Sequence, residues 1–207
     1  MVYIVPFNKS DLQQVIHCLS HAFTQETMSK ALDINPNSYI ALAEIVCQKA
    51  IKEQLSLVAK DEKSGDVIGF SILEDFVTEL PNLDGVDARF LPIMNLLGEL
   101  DDWYKSNYKV KSGEILHLFM TGVDEQYRGQ GIAHKLMEEV FNLAKDNGYS
   151  SIIAECTGAI TQHIRAKYGF QAIKEIEYKT YLYNGELVLK GINEPQSCKL
   201  MLKTFVE

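Results

Sequence analysis

Long apolar runs are missing from this sequence. No stretch approaches the roughly 18 consecutive apolar residues of a membrane-spanning helix, so no membrane partner is expected. The opening Met1-Val2-Tyr3-Ile4-Val5-Pro6 has neither the basic start nor the apolar core of a secretory signal, and a cytoplasmic location is expected. Cysteine is scarce and unpatterned. Cys18, Cys47, Cys156 and Cys198 form no CxxC pair, which argues against a zinc site and for free thiols in a reducing compartment. Positive charge is short as well: 20 Lys and Arg against 28 Asp and Glu leave a formal net charge of -8. That sign is wrong for nucleic acid, whose phosphates need a basic face, and suits a cationic acceptor such as an amine. There is no internal repeat and no linker rich in Pro, Gly or Ser. The chain therefore reads as one domain over residues 1–207, as a monomer or homodimer.

The patterning predicts alternating strands and helices. Tyr3 to Pro6 reads as a strand, and Ser10 with Gln13 three residues on has capping-box spacing. Leu12, Val15, Ile16, Leu19 and Phe23 follow at helical intervals. A second helix is expected over Asn37–Lys52, with Leu42, Ile45, Val46 and Ala50 inward. Leu55–Lys60 and Val67–Leu73, joined through Ser64-Gly65, read as a hairpin. Asp75–Gly113 is a variable insert with one helix over Pro92–Tyr104, and strand returns at Ile115–Val123. An amphipathic helix over Gly131–Asn147 ends at Gly148. Strand Ser151–Glu155, helix Thr157–Tyr168, and strands Ala172–Tyr183 and Lys199–Phe205 complete the pattern. A mixed α/β sheet flanked by helices follows.

The strongest chemical signal lies where the Ile115–Val123 strand meets the following helix, at Arg128-Gly129-Gln130-Gly131-Ile132-Ala133. The two glycines let the backbone approach a ligand closely, and a helix start offers unpaired amides with a partial positive charge. Arg128 adds a fixed charge, with His134 and Lys135 in the next turn. An acidic protein that holds a diphosphate needs such a local patch. The segment is neither a Walker loop nor a dinucleotide fingerprint, and by itself a glycine-rich turn is equally compatible with a plain strand-to-helix corner.

In its setting the segment resembles motif A of the GNAT superfamily of N-acyltransferases, a strand followed by Arg/Gln-x-x-Gly-x-Gly/Ala at a helix start. Here those positions are Arg128, Gly131 and Ala133, preceded by Thr121-Gly122-Val123 and Tyr127. The resemblance continues into motif B, whose Lys-x-Gly-Phe ending is similar to Lys167-Tyr168-Gly169-Phe170; together the two span roughly Leu116 to Tyr181. It implies a GNAT fold with a mixed sheet of about six to seven strands, splayed between the fourth and fifth. It also implies acetyl-CoA as co-substrate, with no metal. The pantetheine arm would pair with the strand edge at Thr121, Gly122 and Val123. The diphosphate would rest on the amides of Arg128, Gly129, Gln130, Gly131, Ile132 and Ala133, with His134 beside them.

Finer details are similar to the insect-type arylalkylamine N-acetyltransferases. That group carries an acidic D-E-P-L-N motif after its first helix, with the glutamate as general base; Glu26 in Gln25-Glu26-Thr27-Met28 takes that place. Thr157 and Thr161 match two catalytic serines four residues apart. Thr27 replaces the group's proline, and Arg165 stands where many GNAT enzymes place a tyrosine acid. Plainer roles exist for each: Glu26 as a solvated helix end, Thr157 as an N-cap, Cys156 as packing. Tyr39, Phe76, Phe90, Trp103 and Tyr108 are candidates for lining an acceptor pocket. The resemblance thus points to acetyl transfer to a small arylalkylamine. The alternatives are a polyamine, aminoglycoside or protein amine as acceptor, or a non-catalytic acyl-CoA-binding module.

Overall fold

In a computed structural model, which describes residues 1–79 and 81–205, strand β1 (Val2–Pro6) turns directly into a helix. Asn8, not Ser10, caps that turn. The Asn8 side chain accepts from the Ser10 amide at 3.0 Å, and Asp11 accepts from the Asn8 amide at 3.3 Å. The capping box therefore falls two residues earlier than Ser10–Gln13 predicts. Ser10 lies inside the 3-10 turn that precedes α1 (Leu12–Thr24). Val15, Ile16 and Leu19 are buried, as their spacing predicts.

The short helix α2 (Thr27–Ala31) was not legible in the periodicity. Helix α3 (Pro36–Glu53) starts under an Asn35 cap that accepts from the Ser38 amide at 3.1 Å. Leu42, Val46 and Ala50 are buried and Ile45 is half-buried. The hairpin forms from β2 (Leu57–Asp61) and β3 (Val67–Asp75), and α4 (Leu91–Asn107) is the helix within the insert. Then follow β4 (Ile115–Val123), α5 (Ile132–Asp146), β5 (Ser151–Cys156), α6 (Ala159–Lys167), β6 (Gln171–Glu177) and β7 (Ser197–Thr204).

Strand β6 is shorter than its apolar patterning predicts, ending at Glu177 and not at Tyr183, whereas β7 starts two residues earlier than predicted, at Ser197, and ends one earlier, at Thr204. Tyr178 and Tyr181, three residues apart, both point inward, which a strand's two-residue alternation does not allow. The Tyr178 hydroxyl donates to the Thr157 carbonyl at 2.7 Å, and that of Tyr181 donates to the Pro92 carbonyl at 3.1 Å. The chain therefore leaves the sheet after Glu177.

The strands pair as β1-β2-β3-β4-β5-β7-β6, antiparallel except for the β4–β5 pair. One face carries α1, α3 and α4, with Leu19, Leu42 and Leu96 against Phe70 and Ile153. The opposite face carries α5, with Leu136 and Val140 against Ile68, Leu116 and Ile152.

Candidate active site

The parallel pair at the centre of the sheet comes apart after three residues. The β4–β5 ladder covers Ile115↔Ser151, Leu116↔Ile152 and His117↔Ile153 and stops. Beyond it, Ala154–Cys156 continue to pair with β7, whereas Leu118–Val123 keep only β3. Phe119 is an extra residue on β4, because Leu73 pairs with Leu118 and Ile72 with Met120. Such a bulge bends its strand and strengthens the local twist, which opens the sheet at this point. The resulting cleft holds about 600 Å³.

One end of the cleft is the start of α5. Gly129 and Gly131 have φ of 78° and 77°, left-handed values that side chains resist, and Gly131 is the N-cap. The first amides of a helix have no intrahelical acceptor, so they point outward with the positive end of the helix dipole. Arg128 is exposed beside them, and Arg128 and Ala133 line the cleft. The Ile132 side chain is buried in the core, so only its backbone is available there. His134 is turned aside: its Nδ1 pairs with the Tyr168 hydroxyl and the two rings stack. Gln130 is exposed. Thr121, Gly122 and Val123 form the unpaired edge of β4 along the cleft wall.

At the other end the three candidate catalytic residues converge. Glu26 caps α2, its carboxylate accepting from the Met28 amide at 3.4 Å. Its Oε1 also accepts from the Thr157 hydroxyl at 2.5 Å. Thr157 is therefore not the cap of α6; Gly158 holds that position without a side-chain bond. Gly158 leaves the space between Glu26 and Thr161, since a Cβ there would lie 3.1 Å from Glu26 Oε1 and 3.5 Å from Thr161 Oγ1. Burial raises the Glu26 carboxyl above the ordinary carboxylate range, against the lowering influence of the Thr157 hydrogen bond. Cys156 is fully buried, and burial lifts its thiol to about 12, so it is no nucleophile at neutral pH.

Beyond Glu26 the cleft is walled by Phe23, Tyr39, Phe90, Ile93, Met94 and Leu97. Two of the five aromatic candidates, Tyr39 and Phe90, are among them. Phe76 is instead buried against Tyr104 and His117, and Trp103 and Tyr108 pack on each other away from the cleft.

Two features escaped the sequence reading. The first is Arg165, a departure from the family pattern whose surroundings were not foreseen. It is 5% exposed; Nη1 donates to the Met137 sulfur at 2.7 Å and Nη2 to Thr121 Oγ1 at 3.4 Å, while Nε has no partner. Its four-residue spacing from Thr161 was the available signal. The second is a buried ionic chain. His117 bonds Glu74 at 2.9 Å and Glu155 at 2.8 Å; Lys49 pairs with Glu74, and Asp101 lies within bonding reach of Glu155. As carboxylates, Asp101 Oδ1 and Glu155 Oε1 lack donors among the described residues. A proton on Asp101 supplies one, and burial beside Glu155 pushes the Asp101 carboxyl up to about 9. His117 is held well above its ordinary value by the two glutamates, which outweigh burial. A histidine inside the apolar run Ile115-Leu116-His117-Leu118 was the signal here.

A mixed seven-stranded sheet with a splayed parallel pair and a helix start aimed into the gap defines the GNAT fold. Residues 99–166, from within α4 to near the end of α6, match the family model of the GCN5-related N-acetyl-transferases. Among curated proteins, the probable N-acetyltransferase family 8 member 5 of Mus musculus is 44% identical over 59 residues, 27% of this chain and 26% of that protein. N-acetyltransferase 8 of the same species is 37% identical over 78 residues, 35% and 34% of the two chains. The chain thus spans about a quarter to a third of these relatives. Solved structures match over nearly the whole length. The C-terminal condensation domain of Ebony, in complex with beta-alanyl-dopamine, superposes with a TM-score of 0.91 at 19% identity, covering 99% of both chains. Arylalkylamine N-acetyltransferase 2 of Aedes aegypti superposes with a TM-score of 0.82 at 24% identity over 98% of both. Drosophila melanogaster polyamine N-acetyltransferase gives 0.79 at 19%, over 99% of this chain and 100% of the other. At these identities the structural likeness is one of fold.

Proposed function

We propose that this chain is an acetyl-CoA-dependent N-acetyltransferase acting on a small arylalkylamine by direct attack in a ternary complex. The observation that carries the reading is the pairing of Glu26 with Thr157 at 2.5 Å, at the far end of a cleft whose near end is the start of α5. An anion site and a half-buried carboxylate at opposite ends of one splayed strand pair suit a thioester and an amine brought together. The diphosphate would rest on the amides of residues 129–133 beside Arg128. That placement fits Gly129 and Gly131, where a Cβ would meet nothing within 4 Å and the backbone is open to a ligand. The pantetheine arm would pass along Thr121, Gly122 and Val123.

The chemistry follows from the protonation states. A free alkylamine is charged at neutral pH and attacks only when neutral. Glu26 suits the role of base because burial raises its proton affinity toward the working pH, while Thr157 orients the carboxylate. The ammonium first gives up a proton through Glu26 to solvent, the neutral nitrogen's lone pair adds to the thioester carbonyl carbon, the carbon–sulfur bond breaks with its electrons on sulfur, and the second nitrogen proton passes to Glu26. Thr161, across Gly158 from Glu26, would hydrogen-bond the acceptor amine. The apolar walls Phe23, Tyr39, Phe90 and Leu97 favour an aromatic acceptor over a polycation.

We take the whole chain as one catalytic unit, since both cores back onto one sheet. A cytoplasmic setting suits its four buried, free cysteines. Among the described residues no helix is long and apolar enough to cross a membrane.

The test is thiol release from acetyl-CoA with tryptamine, tyramine, spermidine and a lysine peptide, in wild type and Glu26→Gln. Turnover best with the arylamines and lost in the variant supports the proposal. Turnover confined to spermidine or the peptide would move the acceptor class. Acetyl-CoA binding without turnover on any amine would leave a binding module instead.

A further inference from the structure

An unpaired arginine inside a protein is costly. An isolated buried charge loses several kcal/mol of hydration, and removing one partner of a buried pair is strongly destabilising, so buried arginines are ordinarily met by carboxylates. Among the described residues, Arg165 is met by none. Its neighbours are a thioether, a threonine hydroxyl and the Phe170 ring, 5.9 Å from its guanidinium carbon, and its Nε is unpartnered. Burial lowers its pKa, the direction for a cation without a counter-ion. Yet Arg165 lines the cleft.

Its place in the cleft decides which anion it awaits. Met137 follows Ala133 by four residues on α5, so both lie on the helix face that begins at the diphosphate end. Thr121, the other contact, is on the free edge of β4. Arg165 also follows Thr161 by four residues on α6, one turn on from the Glu26 cluster. A linear thioester stretched from the α5 amides to Glu26 would run through the cleft that Arg165 lines together with Ala133, Thr121, Thr157 and Glu26. The pantetheine arm is neutral along its length, and the diphosphate is already served by Arg128 and the helix start. Negative charge arises on that path only when the carbon–sulfur bond breaks.

We infer that Arg165 is a catalytic residue that stabilises the departing coenzyme A thiolate as an ion pair. The inference rests on the acetyl-CoA reading above. It adds a distinct device to that reading: sulfur leaves as the anion, with the bond's electron pair, beside a guanidinium that stays protonated throughout. The amine proton goes to Glu26, and the thiolate takes a proton from water after release. An arginine, ionised at every working pH, cannot serve as proton donor here; it acts through fixed charge. The result is a leaving group whose departure does not depend on an acid's titration.

The test needs no acceptor amine. Free coenzyme A bound to the protein presents the leaving group itself, and thiolate absorbance near 232 nm reports its ionisation. The four protein cysteines do not interfere below about pH 10: burial puts Cys18, Cys47 and Cys156 at about 12 and Cys198 well above its ordinary range. An opposite charge at close range lowers a pKa by about 1 to 3 units. Bound coenzyme A in the wild type should therefore ionise at least about one pH unit below free coenzyme A, a tenfold larger thiolate fraction, with desulfo-coenzyme A as the blank. Arg165→Met, which fills the apolar site without charge, should return the thiol to its free value while still binding coenzyme A, and Arg165→Lys should keep part of the shift. An unshifted wild-type thiol, or an equal shift in wild type and Arg165→Met, would overturn the assignment and leave the acetyltransferase reading in place. Failure of wild type to bind coenzyme A would remove both.

Discussion

Replacing Gly158 with alanine should slow catalysis without weakening the fold. The backbone there has φ of -112° and ψ of 151°, an extended conformation that alanine adopts freely. A new Cβ would sit 3.1 Å from Glu26 Oε1, about 0.3 Å inside ordinary contact, and 3.5 Å from Thr161 Oγ1. Glu26 is the movable party, and moving it strains the 2.5 Å bond from Thr157. A misplacement of about 1 Å in a catalytic group costs on the order of 100-fold, so about 0.3 Å should lower kcat by roughly three- to tenfold. Stability has two small opposing contributions. Alanine restricts the unfolded chain by about 0.4–1 kcal/mol and is a poorer N-cap than glycine by a similar amount. The melting temperature should therefore stay within about 4 °C of wild type. Thiol-release kinetics at saturating acetyl-CoA, alongside thermal unfolding, measure both quantities. A Gly158→Ala protein with wild-type kcat and an intact melt would refute the assignment of Glu26 to the amine end of the cleft.

Gly122→Ala should act oppositely, on the fold: a Cβ would meet ring carbons of the fully buried Phe70 at 2.7 Å and Ala22 at 3.1 Å. A loss of about 1–3 kcal/mol is expected from chemical denaturation. Arg128→Ala should raise the KM for acetyl-CoA by about 10- to 100-fold, the worth of one charge-assisted bond, with kcat little changed and weaker salt dependence. The buried ionic chain predicts a stability curve with two limbs. His117 and Asp101 bind protons more tightly folded than unfolded, so the stability tied to them is present at low pH and declines as pH rises, for Asp101 from about 4 to about 9. Glu74 and Glu155 are shifted down, Glu155 mainly by the His117 charge against burial, and their contribution is lost as pH falls through their folded values. Asp101→Asn should flatten the alkaline limb in urea titrations at several pH values; an unchanged limb would show that Asp101 is not protonated in the fold.

The sequence made some layers legible because their signals are local. Strand Ile115–Val123 and the helix after Gly131 follow from apolar periodicity and two glycines in a row of exposed residues. The structure gives the same strand bounds and a left-handed Gly131. Helix α2 is too short for periodicity to register. The Ser10 cap failed because Asn8, two residues earlier, offers an equally good acceptor, and the choice depends on how β1 enters the turn. The site divides the same way. Glu26, Thr157 and Thr161 were nameable by resemblance, but the contact between Glu26 and Thr157 spans most of the chain and depends on where α2 docks. Phe76 and Trp103 read as pocket aromatics because sequence reports hydrophobicity and not which face of α4 or the insert covers it. Arg165 was visible as an odd residue; its lack of a carboxylate partner depends on every element around it.

A crystal structure with bound coenzyme A tests the account where it is most exposed. Diphosphate oxygens should lie within about 3 Å of the amides of residues 129–133, and the sulfur between β4 and β5, on the path from Arg165 to Glu26. A ligand held by other residues, or a sulfur pointing out of the splay, would contradict it.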